Sequence, residues 1–157
     1  MNLHLLAVGK LRPAFRDAAD EYVRRLQRFV RLEEREVREA GRAGNPTAQR
    51  REETKRLAAA LPDSARIVAL TRGGDGWSSS ELARQVSRWR SESRPVAFVI
   101  GGAEGLEVEF VRGADSRWSL GALTLPHELA RVVVYEQLYR GFTILAGTPY
   151  HKGPSGS

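Results

Sequence analysis

Three glycine-bearing or small-residue segments each follow a candidate strand. They are Thr71-Arg72-Gly73-Gly74-Asp75-Gly76 after Leu70, Gly101-Gly102-Ala103-Glu104-Gly105 after Ile100, and Gly121-Ala122-Leu123-Thr124-Leu125 after Leu120. Their side chains are mostly small or apolar, so chemistry there falls to free peptide N–H and C=O groups. Such loops suit a planar, hydrogen-bonding ligand held by the main chain. Gly101-Gly102-x-x-Gly105 is not the G-x-G-x-x-G fingerprint, no acidic residue stands about twenty positions on to hold a ribose, and it is not a G-x-x-x-x-G-K phosphate loop. Nicotinamide enzymes and NTPases are therefore disfavoured. The plain reading is a tight strand-to-helix turn, although two adjacent glycines also let something approach the backbone closely.

The polar candidates lie elsewhere. His4, His127 and His151 lack metal-ligand spacing, so no metal is expected. Tyr150-His151-Lys152 near the end of the sequence has little structural reason to be there. The net charge is +6, and 22 of the 25 cations are Arg, whose planar fork suits phosphate. Residues 11–31 hold six Arg against three acids, a net of +3, whereas residues 96–157 hold five basic against six acidic groups, a net of −1. A polyanionic partner follows, against the plainer alternative of an Arg-rich solvated surface. Asp20/Arg24 and Glu21/Arg25 read as ordinary helix pairs. Arg28 and Arg31 have no acid four positions before them, which makes them the better phosphate candidates.

Size and composition bound the elements that position these groups. With 157 residues, 41% apolar and 28% charged, the sequence is that of a soluble globular protein, read as one domain over 1–152 with a disordered end at 153–157. No run of 18 apolar residues could span a bilayer, the first residues do not resemble a signal peptide, and cysteine is absent. A cytoplasmic location is expected.

Leu3–Val8 reads as a strand, Arg12–Arg31 as a helix and Leu32–Val37 as a charged edge strand. Gly41–Gly44 is a loop. Asn45-Pro46 caps a helix to about Ala60, and Arg66–Leu70 is a central strand followed by a flexible turn over Thr71–Gly76. Ser78 and Glu81 form a capping box, with Trp77 and Leu82 as its hydrophobic staple. Val96–Ile100 is a buried strand, a short helix ends near Gly113, and Arg117–Leu120 is a strand. Pro126 opens a long helix whose stripe runs Leu129, Val132, Tyr135, Leu138 or Tyr139, Phe142 and Leu145. Thr143–Leu145 either continues that helix or forms a last strand. The alternation predicts an α/β fold, a mainly parallel sheet flanked by helices. Ligands on such sheets bind at the carboxyl ends of strands, where all three small-residue loops lie.

Five ordered motifs carry a resemblance: Ala7-Val8-Gly9-Lys10, Val99 to Gly105, Leu123-Thr124-Leu125-Pro126-His127-x-x-x-Arg131, Glu136 to Arg140, and Pro149-Tyr150-His151-Lys152. Together they resemble the RlmH family, SPOUT-superfamily methyltransferases that act on a pseudouridine of 23S ribosomal RNA. The resemblance implies a C-terminal trefoil knot, S-adenosylmethionine as cofactor, and a homodimer whose site is completed across the interface. It implies cofactor contacts at Leu70, Gly101, Gly102, Leu120, Gly121, Ala122, Leu123, Thr124 and Leu125. One departure stands out: Thr71 occupies the position where the family commonly has an acid.

The implied reaction is N3-methylation of the pseudouridine on assembled ribosomes. It needs in-line placement and removal of one proton. His151 and His127 are the proton-accepting candidates, Tyr150 could stack on or hydrogen-bond the base, and Arg140 could hold a phosphate or steady the N3 anion. Lys152 joins Arg28 and Arg31 as an RNA contact. Against these roles, His127 could simply cap its helix, and Arg140 could simply pair with Glu136. Arg131 and Arg140 lie nine residues apart, about 900° of helix, and so point in opposite directions. A dimer would reconcile them. The alternative function is a non-catalytic ribosome-binding or assembly factor with the same fold.

Overall fold

The structure is a computed structural model and describes residues 1–41 and 44–151. Five strands, β1 (Asn2–Val8), β2 (Arg31–Val37), β3 (Arg66–Asp75), β4 (Val96–Ile100) and β5 (Ser116–Trp118), form one parallel sheet in the order β2-β1-β4-β3-β5. Between and after them run α1 (Pro13–Leu26), α2 (Pro46–Ala59), α3 (Ser79–Arg90), α4 (Val108–Gly113) and α5 (His127–Ala146). A 3₁₀ turn, Pro149–His151, follows.

The pleat sorts alternate residues to opposite faces. Leu3, Leu5, Val68, Phe98 and Ile100 pack under α1, α3 and α5. Leu6, Val8, Ala97 and Val99 pack against Leu57 of α2 and Phe110 of α4. Central β4 is covered on both sides and is buried at every position.

Local signals place the helices as expected. Asn45 accepts from the Ala48 N–H at 2.8 Å ahead of Pro46, and the Ser78/Glu81 capping box is complete. Thr143–Leu145 continues α5.

Four expectations are corrected. The first helix stops at Leu26, not Arg31. The N–H groups of Gln27, Phe29 and Val30 turn back onto Val23 and Leu26, and buried Val30 and Leu32 draw the chain into β2. The segment Thr71–Gly76 is not a free turn, because β3 continues to Asp75 across a register shift after Leu70. Gly74 permits this: a Cβ there would lie 2.6 Å from the Arg117 carbonyl carbon. β5 ends at Trp118 rather than Leu120, because Ser119 turns its N–H to the Asp75 carbonyl at 2.8 Å and accepts from the Gly121 N–H at 3.1 Å.

The fourth correction concerns α5, whose opening stripe is displaced. Leu129 is exposed, whereas Glu128 and Arg131 are buried. Charged partners on neighbouring elements decide this. Arg12 gives Glu128 two hydrogen bonds, Glu36 pairs with Arg131, and the Gly9 carbonyl accepts from Arg131 at 2.8 Å.

Candidate active site

The carboxyl ends of β3, β4 and β5 open into a cavity of about 160 Å³, walled by the three loops singled out in the sequence. Leu70, Gly101, Gly102, Leu120, Gly121, Leu123 and Leu125 line it, with His127 and Ala130 from the start of α5. Ala122 and Thr124 belong to the same loop, but their side chains are exposed outside the cavity lining. Trp118, Ser119, Thr71 and Arg72 also line it. The first two follow from the strand end. The last two belong to the first of the three segments singled out in the sequence, which is strand rather than free turn.

Close packing shapes the floor. A Cβ on Gly101 would meet the Gly105 carbonyl carbon at 2.6 Å, and one on Gly102 would meet buried Glu53 at 2.9 Å and Val8 at 3.2 Å. Glycine is thus required at 101 to let the chain fold back on itself, while Gly102 sits close against side chains. Across the cavity, Gly121 has φ +116° and faces open space. Among the described residues, the peptide N–H groups of Leu120, Ala122, Leu123, Thr124 and Leu125 find no backbone partner. Unspent main-chain donors beside apolar walls fit the hydrogen-bonding edge of an adenine. Most of such a ligand's contacts would then come from positions where side-chain identity matters little.

The other polar candidates gather at a different place. Glu136 accepts from Arg140 at 2.7 and 3.1 Å and from the Tyr150 hydroxyl at 2.9 Å. The Arg140 guanidinium lies 5.1 Å from the Tyr150 ring centre, and the Tyr139 and Tyr150 rings are 4.6 Å apart. Burial first, and then the bond to Glu136, pushes the Tyr150 hydroxyl above the usual tyrosine range, so it stays a donor. Glu136 also raises Arg140 above its ordinary value. The simple helix pairing of Arg140 with Glu136 therefore exists, and it holds the guanidinium against Tyr150.

His127 and Glu136 are nine residues apart on α5, half a turn out of phase, and Arg140 is about 20 Å along the axis from His127. Within one chain, the cavity and the Arg140–Tyr150 cluster are separate. Arg131 is on neither: it is buried under the end of β1. Arg28 and Arg31 are exposed at the amino end of the sheet, far from the cavity. His151 ends the 3₁₀ turn, while Lys152 and residues 153–157 lie outside the described residues. Among the described residues, no three His, Cys, Asp or Glu side chains gather in a way that could hold a metal ion.

A parallel sheet flanked by helices, with a cavity at the carboxyl ends of its strands, defines an α/β protein whose cavity lies where ligands bind on such sheets. Residues 1–151 match the family model described as "Predicted SPOUT methyltransferase". The chain belongs to the SPOUT methyltransferase family. It is 43% identical to a Pseudomonas fluorescens protein and 39% identical to one from Nitrosococcus oceani, each named "Ribosomal RNA large subunit methyltransferase H". Each match covers 97% of this chain and 99–100% of the relative. Solved structures show the same fold. A Bordetella pertussis chain described as "Probable Methyltransferase" has a TM-score of 0.57 at 16% identity, covering 88% of this chain and 93% of that one. TrmJ from Z. mobilis has a TM-score of 0.52 at 19% identity, covering 87% and 67%.

Proposed function

We propose that this methyltransferase uses S-adenosylmethionine to methylate N3 of a pseudouridine in 23S ribosomal RNA, acting on assembled ribosomes. The name shared by the full-length relatives supports a large-subunit RNA substrate. The observation that carries the reading is the cavity floored by Gly101 and Gly102 and edged by unspent peptide donors over 120–125. A C-terminal trefoil knot is what membership of this family implies for the chain.

When bound, the donor supplies a sulfonium-activated methyl group. The main chain from Leu120 to Leu125 would hold its adenine, with Leu70, Gly101 and Gly102 at the floor of the cavity. For transfer to N3 of the uracil ring, an imidazole, that of His127 or His151, would take the N3 proton. Tyr150 orients the base, and Arg140, steadied by Glu136, faces the developing N3 anion or a phosphate.

The two half-sites lie on opposite sides of α5 in one chain. A homodimer in which one protomer's cavity meets its partner's Arg140–Tyr150 cluster brings them together. Work on ribosomes also puts the protein in the cytoplasm. Mass mapping of 23S RNA from cells lacking and regaining this gene product tests the reading. One methyl group that returns on a single pseudouridine is the expected result. Unchanged methylation together with no calorimetric binding of S-adenosylmethionine would favour the non-catalytic ribosome-binding alternative.

A further inference from the structure

The Glu136–Arg140–Tyr150 cluster does not end at α5. From α1, the Arg25 guanidinium carbon lies 5.6 Å from the Tyr22 ring centre and 5.8 Å from that of Tyr139. Tyr139 in turn touches Tyr150 edge to face. Tyr22 is close enough to Arg140 and Tyr150 to bias the ionisation of both. Three tyrosine rings and two guanidinium groups therefore share one half-buried patch. Arg25 donates to Glu21 at 3.1 Å, but Glu21 also pairs with Arg24, so one carboxylate faces two cations. Among the described residues, Glu136 pairs with Arg140 alone, whereas Arg25 has only a share of its carboxylate.

What sets Arg25 apart is its rings rather than its exposure: Arg24, which pairs with the same Glu21, has 67% of its side chain exposed and no ring beside it among the described residues, whereas Arg25 is laid against Tyr22 and Tyr139. Aromatic faces beside planar cations suit unstacked nucleotides, with rings taking bases and guanidinium groups taking phosphates.

We propose that Arg25, on the Tyr22–Tyr139 platform, is a phosphate contact for the RNA strand beside the target nucleotide, so that α1 supplies part of the substrate half of the site. The inference rests on the methyltransferase reading given above. It changes what the pair Glu21/Arg25 means: the carboxylate orients a substrate-binding guanidinium as well as supporting the helix.

Arg24 is a built-in control, because it shares Glu21 and lacks the rings. Arg25→Ala, Arg25→Lys and Arg24→Ala are compared with wild type for ribosome methylation, ribosome binding by co-sedimentation, and calorimetric titration with S-adenosylmethionine. Arg25→Ala should raise KM for ribosomes about 5- to 20-fold with kcat within about twofold, as for the loss of one charge-assisted contact. The slope of log(kcat/KM) against log salt should become shallower by about 0.7–0.9. Arg25→Lys should restore that slope, Arg24→Ala should leave KM unchanged, and donor affinity should hold throughout. Equal behaviour of Arg25→Ala and Arg24→Ala overturns the proposal. So does loss of donor binding or of thermal stability in Arg25→Ala, which would mark a structural role. If wild type binds ribosomes without methylating them, the reaction assignment fails while the Arg25/Arg24 contrast in binding still decides. If it neither binds nor methylates, both fall.

Discussion

Gly101→Ala tests the cavity floor most directly. The new Cβ would lie 2.6 Å from the Gly105 carbonyl carbon, 2.8 Å from its oxygen and 2.9 Å from its Cα. Ordinary carbon contacts are about 3.5–4.0 Å, so the two backbone segments must part by roughly 1 Å. Backbone cannot swing aside like a side chain. Overpacking of this kind costs about 1–3 kcal/mol, or about 2–12 °C in Tm for a domain of this size. The displaced wall is the ligand's own, and a shift of about 1 Å at a positioned site can cost about 100-fold.

Thermal melting with and without S-adenosylmethionine separates these two effects. Donor at about 100 times Kd should add about 2.7 kcal/mol to wild type, a rise of roughly 5–11 °C. In Gly101→Ala the melting point should fall and most of that rise should vanish. Gly73→Ala is the control, since nothing lies within 4 Å of its Cβ, and it should match wild type. A Gly101→Ala protein that melts within a degree of wild type and keeps the full donor-induced rise would refute the reasoning.

Other perturbations follow from the same contacts. Glu136→Gln replaces the carboxylate that holds both Arg140 and Tyr150. Turnover on ribosomes should drop about 10- to 100-fold with donor affinity unchanged, and a matched loss of both would place Glu136 in the donor cavity instead. His151→Ala should likewise cut turnover far more than calorimetric donor affinity. Arg131→Met removes a buried guanidinium from Glu36 and from the Val8 and Gly9 carbonyls, and should cost about 3 kcal/mol by urea denaturation; a change under about 1 kcal/mol would contradict the burial argument. The Glu128 carboxyl is held below the usual carboxylate range, chiefly by the Arg12 N–H, with burial opposing and the Arg12 side chain adding to the effect. Its contribution is therefore present above the unfolded carboxylate pKa of about 4.3 and is lost as pH falls through the lower folded value. The wild-type advantage over Glu128→Gln in melting point should shrink below about pH 4, and a gap constant from pH 7 to 3 would count against the pair.

Much of this protein was legible without coordinates. Caps and period alone placed α2, α3 and the buried strands Leu3–Val8 and Val96–Ile100, because these signals are local. Convergence of the loops after Leu70, Ile100 and Leu120 also followed, since parallel strands put their carboxyl ends together. Periodicity along α5 even required Arg131 and Arg140 to point apart.

What only the tertiary structure decided depends on partners distant in the sequence. The Gly73-Gly74 stretch is strand rather than turn because Gly74 meets the backbone of Arg117, 43 positions away. Arg131 is buried and Leu129 exposed because Glu36, Gly9 and Arg12 lie where α5 begins. Arg25 looks like any i,i+4 partner until α5 lays Tyr139 beside it. Sequence spacing gives a side chain's direction around its own helix, but the energy of that direction is set by what the fold places opposite.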